Sequence, residues 1–160
     1  MLEVLLREEG LYAAQPHPIP RRDPAEPVCL SFAQQRLWFI DQLVPNNPFY
    51  NIPAAVRLIG SLNVAALQRS LAQLVQRHEI LRISFATIDG RPVQVIADRL
   101  EVDVPIDDLR TLPDAEREAA VQHLATAEAK RPFDLSQGPL LRARLLRLGE
   151  TDWVLLFTMH

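Results

Sequence analysis

The sequence closes on the run Trp153-Val154-Leu155-Leu156-Phe157-Thr158-Met159-His160, and the rest of the predicted fold is arranged around it. An apolar run rich in β-branched and aromatic residues predicts a strand that is buried on both faces. A central strand that ends in a titratable residue places that residue at the rim of a sheet, where sites are commonly built. Taken alone, the run has a simpler interpretation: a core strand whose terminal His160 merely frays.

Alternating patterns predict the other strands. Leu141, Ala143 and Leu145 alternate with Arg142 and Arg144, which is the period-two pattern of a strand with one apolar face. Shorter alternations on either side of Asp89-Gly90, a favoured turn dipeptide, predict a hairpin. The predicted strands are 52–59, 81–85, 93–96, 141–145 and 153–160, with a weaker candidate at 102–106.

Helix signals separate these strands. Ser31 and Gln34 form a capping-box pattern at the start of a helix over about 32–43. Its predicted apolar stripe is Ala33, Leu37, Ile40 and Val44, with Arg36, Trp38 and Asp41 elsewhere around the helix. Two more helices are predicted over about 64–78 and 115–130. The order of elements indicates an α/β fold, a two-layer sandwich with an open mixed sheet and helices packed on it.

Arg82 lies between Leu81 and Ile83 in a strongly apolar stretch. A buried guanidinium needs a partner far more than a surface one does, because desolvating an unpaired charge is costly. The sequence therefore leaves two interpretations open: a buried arginine with a partner, or an edge strand with a solvated Arg82.

Composition narrows the classes of function. The 160 residues carry a net charge of −3 and 48% hydrophobic residues, enough for one domain with a core, and favour neither a nucleic-acid nor a membrane partner. Cys29 is the one cysteine, so no internal disulfide can form, and a cytoplasmic protein is the simplest interpretation. Because the sequence has no metal-spaced Cys and His cluster, no glycine-rich phosphate loop and no nucleophile elbow, we expect no bound metal.

The first residues differ from the rest. Residues 1–13 show a short amphipathic helical pattern, and residues 14–27 contain repeated prolines among charged residues, which is typical of a semi-rigid linker. We therefore place the main domain at 28–160.

Three stretches of this domain together resemble the core motifs of condensation domains of nonribosomal peptide synthetases. Residues 31–40, Ser-Phe-Ala-Gln-Gln-Arg-Leu-Trp-Phe-Ile, are similar to the first motif, S-x-A-Q-x-R-[LM]-[WY]-x-L, and depart from it at Ile40. Residues 77–85 are similar to the second, R-H-E-x-L-R-T-x-F, with Ile83 where threonine is usual. Met159-His160 matches the opening of the third, M-H-H-x-x-x-D-G. The motif residues carried over are Ser31, Gln34, Arg36, Trp38, Arg77, His78, Glu79, Arg82 and His160.

The resemblance implies the N-terminal lobe of a chloramphenicol-acetyltransferase-like enzyme that acts in peptide antibiotic and other secondary metabolism. Such domains join an upstream acyl or peptidyl thioester to the amine of a downstream aminoacyl thioester. No cofactor would bind directly, because both substrates ride on the phosphopantetheine arms of upstream and downstream peptidyl carrier domains. Residues 1–13 would be the tail of a preceding carrier domain, and residues 14–27 the linker to the condensation domain.

The resemblance also implies roles for single residues. The family's catalytic residue is the second histidine of the third motif, which would follow His160, and His160 corresponds to the first, mainly structural histidine. Arg82 corresponds to the arginine that pairs with the aspartate of that motif. We therefore expect the 160 residues alone to form no peptide bond and Arg82 to lack this partner. Apolar surface meant for a C-terminal lobe should promote self-association.

The form of the first motif resembles the subtype that accepts an L-configured donor. Two alternatives share the motifs. A catalytically dead relative would serve as a docking platform for carrier or tailoring proteins, and the residues after His160 would distinguish it. An epimerisation domain would share the fold and the histidine motif, but the form of the first motif argues against it.

Overall fold

Two β-sheets organise Arg22 and residues 27–160, which are the residues described by the computed structural model. The helices are α1 (Phe32–Leu43), α2 (Val64–Arg77) and α3 (Asp114–Lys130), with 3-10 turns at Glu79–Arg82 and Leu109–Thr111. The strands are β1 (Val28–Cys29), β2 (Ile52–Ile59), β3 (Ile83–Ile88), β4 (Arg91–Ile96), β5 (Ile106–Asp108), β6 (Leu141–Arg147) and β7 (Asp152–Met159). The tail expected at 1–13, and the linker expected at 14–27 apart from Arg22 and Pro27, lie outside the described residues.

The larger sheet has the order β2-β7-β6-β5, so β7 is a central strand. Its pairings with β2 and β6 are antiparallel, whereas β5 and β6 run parallel, which makes the sheet mixed. Trp153 and Val154 point to opposite faces, and they are only 6% and 5% exposed. The prediction of a strand buried on both faces is therefore confirmed.

One helix packs on each face of this sheet. Helix α3 contacts the face that carries Val154 and Leu156, and α2 contacts the face that carries Leu145 and Trp153. Because a fully buried Leu or Val side chain contributes about 1.5–3 kcal/mol relative to an exposed one, these two apolar clusters are the main stabilising contacts of the sheet. The expected α/β fold, an open mixed sheet with helices packed on it, is confirmed, with one helix to each face.

The predicted hairpin forms, and it belongs to a second sheet of order β1-β4-β3 that the sequence did not predict. Asp89 and Gly90 have φ angles of 50° and 74°, the left-handed conformation that a two-residue hairpin turn requires. The hairpin packs on a third apolar cluster. Its buried members are Leu30, Ile83, Phe85, Phe133, Leu135 and Leu140, with Trp38 and Ile96 packed against them.

Helix α1 begins where its capping box predicts. The Gln34 backbone N–H donates to Ser31 Oγ (3.2 Å), and the Ser31 N–H donates to Gln34 Oε1 (2.9 Å). The predicted position of Trp38 away from the packing face is wrong, since its ring packs against the third cluster. Ala33 and Val44 of the predicted stripe are exposed. Burial of the large indole therefore decides which face of the helix packs.

The weak strand candidate at 102–106 is wrong in position, since β5 is Ile106–Asp108. Pro105 has no N–H to donate to a ladder, although its carbonyl accepts a hydrogen bond from the Leu145 N–H (2.9 Å). Val104 is buried in the apolar cluster between α2 and the larger sheet, which also contains Leu145 and Trp153. The apolar character of this segment therefore reflects core packing without strand pairing.

Candidate functional site

The three motif stretches meet at one apolar cavity beside the end of β7. Its volume is about 330 Å³. The first motif contributes α1 residues, the second contributes the 3-10 turn and the start of β3, and the third contributes the end of β7. The lining residues are Gln34, Leu37, Trp38, Ile52, Ile80, Leu81, Ile83, Phe85, Leu135, Leu140, Met159 and His160. The fold thus brings stretches that are distant in the sequence to one place.

His160 is fixed at the rim of this cavity. Its backbone N–H donates to the Leu140 carbonyl (3.1 Å), and its ring meets the Phe133 ring edge-on, with centroids 6.0 Å apart and an interplanar angle of 71°. Burial lowers the pKa of the imidazole, an effect partly offset by the Asp41 carboxylate, and the neutral form of the ring is therefore favoured. The interpretation of a fraying terminal histidine is therefore wrong.

Asp41 lies close enough to His160 for each group to shift the pKa of the other, on a side of α1 outside the predicted apolar stripe. It is partly buried and shares a helix face with Gln34 and Trp38, seven and three positions earlier. Burial raises the pKa of its carboxyl, the charge of His160 lowers it, and the Asp134 carboxylate raises it. The spacing of these three residues was the available signal, but the polar side chain argued against a packing face.

Arg82 is buried, with 9% of its surface exposed, and it ends the 3-10 turn that precedes β3. In the described part of the chain its guanidinium donates to backbone carbonyls. These are Val75 (3.2 Å, from Nε), Gln76 (3.3 Å, from Nη2), Asp98 (3.3 Å, from Nη1) and Ala97 (from Nη1). The solvated edge-strand interpretation is therefore wrong. The guanidinium ties the end of α2 to the residues after β4, and its pairing with a motif aspartate stays a prediction.

The other motif residues lie outside the cavity lining. Ser31 is the N-cap of α1, as the cap interpretation predicts. Ser31 is exposed, and so are the other four motif residues, Arg36, Arg77, His78 and Glu79. Nη2 of Arg22 lies 3.5 Å from Oε2 of Glu79. This is an exposed ion pair of the kind that contributes little to stability. The geometry therefore gives these four side chains no contact with the cavity.

Neither a metal site nor a membrane-spanning helix has support among Arg22 and residues 27–160. These residues contain no group of three or more His, Cys, Asp or Glu side chains that could hold a metal ion. Over the same residues, no helix combines the length and the apolar character needed to cross a membrane.

The chain belongs to the condensation-domain family, whose model, described as Condensation domain, matches residues 25–160. A linear gramicidin synthase of Brevibacillus parabrevis is 56% identical over 131 residues, which is 82% of this chain and 2% of that protein. Phosphinothricin tripeptide synthetase PhsC of Streptomyces viridochromogenes is 49% identical over 152 residues, which is 92% of this chain and 14% of that protein. The chain thus spans a small part of these nonribosomal peptide synthetases.

Solved structures agree with this assignment. The starter condensation domain of rhizomide synthetase RzmA matches with a TM-score of 0.77 and 29% identity, over 85% of this chain and 32% of that one. The first condensation domain of the CDA synthetase matches with a TM-score of 0.73 and 24% identity, over 85% and 36% of the two chains, which bears on the fold alone. The expected chloramphenicol-acetyltransferase-like lobe is therefore confirmed as a fold.

Proposed function

We propose that this chain is the N-terminal lobe of a condensation domain that forms peptide bonds between carrier-bound thioesters. The observation that carries the proposal is the apolar cavity at which all three motif stretches meet. Ligand sites are concave and mostly apolar, with a few placed polar groups, and here Gln34 and His160 are those groups.

In the proposed reaction, the amine of the downstream aminoacyl thioester attacks the carbonyl carbon of the upstream thioester. A C–N bond forms and the C–S bond breaks, the amine loses a proton, and the leaving thiolate gains one. The products are an amide and a free phosphopantetheine thiol. A positioned base, or a group that stabilises the developing charge, lowers the barrier. We assign that role to the second histidine of the motif, and we assign to the neutral, fixed His160 the role of holding the end of β7 in place.

The proposal includes the partners of this lobe. Upstream and downstream peptidyl carrier domains would deliver both substrates on phosphopantetheine arms, and a C-terminal lobe would complete the site. The form of the first motif, Ser-Phe-Ala-Gln-Gln-Arg over residues 31–36, resembles the subtype that accepts an L-configured donor, and we propose such a donor on that resemblance. The 160 residues alone should form no peptide bond, because the second histidine is not among them.

A condensation assay tests the proposal in the synthetase that contains this sequence. Its carrier domains are loaded with donor and acceptor, and the condensed thioester is measured by mass spectrometry. Replacing the second histidine of the motif by alanine should lower the rate about 10²–10⁴-fold, the usual contribution of a positioned acid or base. His123→Ala is the matched control, because His123 is exposed on α3.

Other outcomes of the assay would contradict the proposal. If the wild-type protein binds both loaded carriers and forms no bond, the docking-platform interpretation replaces it. If the configuration of a carrier-bound residue changes without a new amide bond, the domain is an epimerisation domain.

A further inference from the structure

Arg142 of β6 is the centre of a buried network at the end of α3. The Arg142 side chain is 14% exposed and that of Glu128 is 8% exposed. Nε of Arg142 donates to Glu128 Oε1 (2.5 Å), and Nη1 donates to the Pro132 carbonyl (3.1 Å). Nη2 donates to the carbonyls of Arg131 (2.7 Å) and Glu128 (3.3 Å). One guanidinium thus binds a carboxylate and several carbonyls at the helix end, where carbonyls lack partners within the helix.

The Arg142 guanidinium is connected to the cavity by contacts through Phe133 and His160. Its central carbon lies 3.7 Å from the centroid of the Phe133 ring, which is only 5% exposed. The Phe133 ring in turn meets the His160 imidazole edge-on. Arg142, Phe133 and His160 therefore form one continuous series of contacts from β6 to the end of β7.

A second residue holds the same helix end from another direction. Nδ2 of Asn51, just before β2, donates to the carbonyls of Ala129 (2.8 Å) and Arg131 (2.9 Å). The end of α3 therefore cannot shift without breaking hydrogen bonds to residues on both flanks of β7. Phe133 comes three residues after Lys130, the last residue of α3, so the hydrogen bonds at this helix end also restrict the position of its ring.

Stability alone does not account for the buried pair of Arg142 and Glu128. Desolvation of two charges offsets much of their attraction, and an apolar pair of similar volume often serves folding equally well. A planar guanidinium, however, can bind several oxygens in fixed directions and stack on an aromatic ring at the same time. This combination is suited to holding a ring in one orientation.

We propose that Arg142 is a positioning residue, which holds Phe133 and through it sets the orientation of the His160 imidazole at the end of β7. The inference rests on the proposed function, because the residue after His160 is the one assigned to the reaction. Arg142 lies outside the three motif stretches. The segment 133–142 also resembles the family, but that resemblance gives Arg142 no role.

NMR of the 160-residue chain tests the proposal on His160 itself. The wild-type chain should show an NOE between the Phe133 ring and the His160 imidazole, and a ring-current shift of the imidazole protons. Arg142→Lys keeps the charge and loses the planar fork, so both signals should be lost. Spectra are compared at one neutral pH, because His160 and Asp41 influence each other's protonation.

Arg144→Lys is the matched control. Arg144 lies on the same strand and face as Arg142, but its guanidinium binds the Asp107 carboxylate, with Nη2 2.8 Å from Oδ1. The control should leave the His160 signals unchanged. Equal changes in the two variants, or unchanged His160 signals in folded Arg142→Lys, would overturn the proposal. If Arg142→Lys does not fold, Arg142→Gln is measured in its place, and failure of both to fold would count against positioning, because Arg142 would then be required for folding itself.

Kinetics link the positioning to the reaction. In the synthetase that contains this sequence, Arg142→Lys should lower kcat about 10²-fold, as expected for a small misplacement of reacting groups, with KM for the loaded acceptor unchanged. An unchanged kcat with altered His160 signals would remove the link to catalysis. An inactive wild-type synthetase would contradict the proposed function and leave the NMR result standing, so the two failures are distinguishable.

Discussion

Strands β2 and β7 are paired along their whole lengths, from Ile52 opposite Met159 to Ile59 opposite Asp152, yet their burial differs completely. β7 is buried on both faces, whereas every residue of β2 except Leu58 is exposed. β7 has a strand on each side, and β2 is an edge strand of the sheet. The comparison shows that burial follows the position of a strand in the sheet as much as its apolar pattern.

The contacts of α3 show the same contrast. On the β6 side, Arg142 and Glu128 form an ion pair whose side chains are 14% and 8% exposed. On the β2 side, Arg57 and Glu118 form an ion pair at 3.1 Å whose side chains are 48% and 60% exposed. One flank of β7 is therefore enclosed, and the other is open to solvent.

Breaking these two ion pairs should give the largest difference in free energy of unfolding between the two flanks of β7. Glu128→Ala leaves the Arg142 guanidinium buried without its carboxylate, and we expect a loss of about 3–5 kcal/mol in the free energy of unfolding. Glu118→Ala should change the free energy of unfolding very little, because solvent screens an exposed pair. Urea denaturation of both variants measures the difference, and equal losses would contradict the contrast between the flanks.

Substituting two valines on the paired strands should give a smaller difference in the free energy of unfolding. Val154 on β7 is 5% exposed and Val56 on β2 is 47% exposed. Val154→Ala should lower the free energy of unfolding by about 2 kcal/mol, from lost burial and the cavity that remains, and Val56→Ala by less than half of that. The same substitution is thus compared in two environments. A loss for Val56→Ala as large as that for Val154→Ala would show that β2 is buried in solution.

The open flank should also govern self-association. β2 is an edge strand that carries exposed apolar side chains, including Ile52, Val56 and Ile59, and such edges pair with other chains. Ile59→Lys should therefore reduce concentration-dependent association measured by sedimentation velocity. Leu74→Lys, on helix α2 and also exposed, should leave the association unchanged. Equal effects of the two lysines would contradict a role for β2.

The smallest expected effect concerns pH at the end of β7. Folding lowers the pKa of His160 below its usual 6.5, so below that pH the unfolded chain binds a proton that the folded chain does not. The free energy of unfolding should therefore fall as the pH drops from about 7 to about 5, the range above the titration of ordinary carboxyls. His160→Gln should remove this component, and His123→Gln should retain it. Burial raises the pKa of the neighbouring Asp41 carboxyl, and hydrogen bonds from Ser136 lower that of Asp134. Both variants keep these carboxyls, so the difference between the variants reports His160.

Local signals account for the parts of the fold that were predictable. The capping box at Ser31 sets the start of α1, and Gly60 follows directly on β2, so both elements have their predicted bounds. Packing between distant elements accounts for the rest. Periodicity cannot tell which face of α1 meets a second sheet, so Trp38 was misplaced. The motifs identified residues of the family, but the fold decides which of them reach the cavity.

The most direct test of the central claim measures whether the first and third motifs share one cavity. A double-mutant cycle combines Trp38→Ala with Met159→Ala and compares the free energies of unfolding. Because both side chains line the cavity, we expect a coupling energy of about 0.5–3 kcal/mol. The cycle of Trp38→Ala with Val56→Ala should be additive within about 0.5 kcal/mol. Additivity of Trp38→Ala and Met159→Ala would contradict the convergence of the motifs at this site.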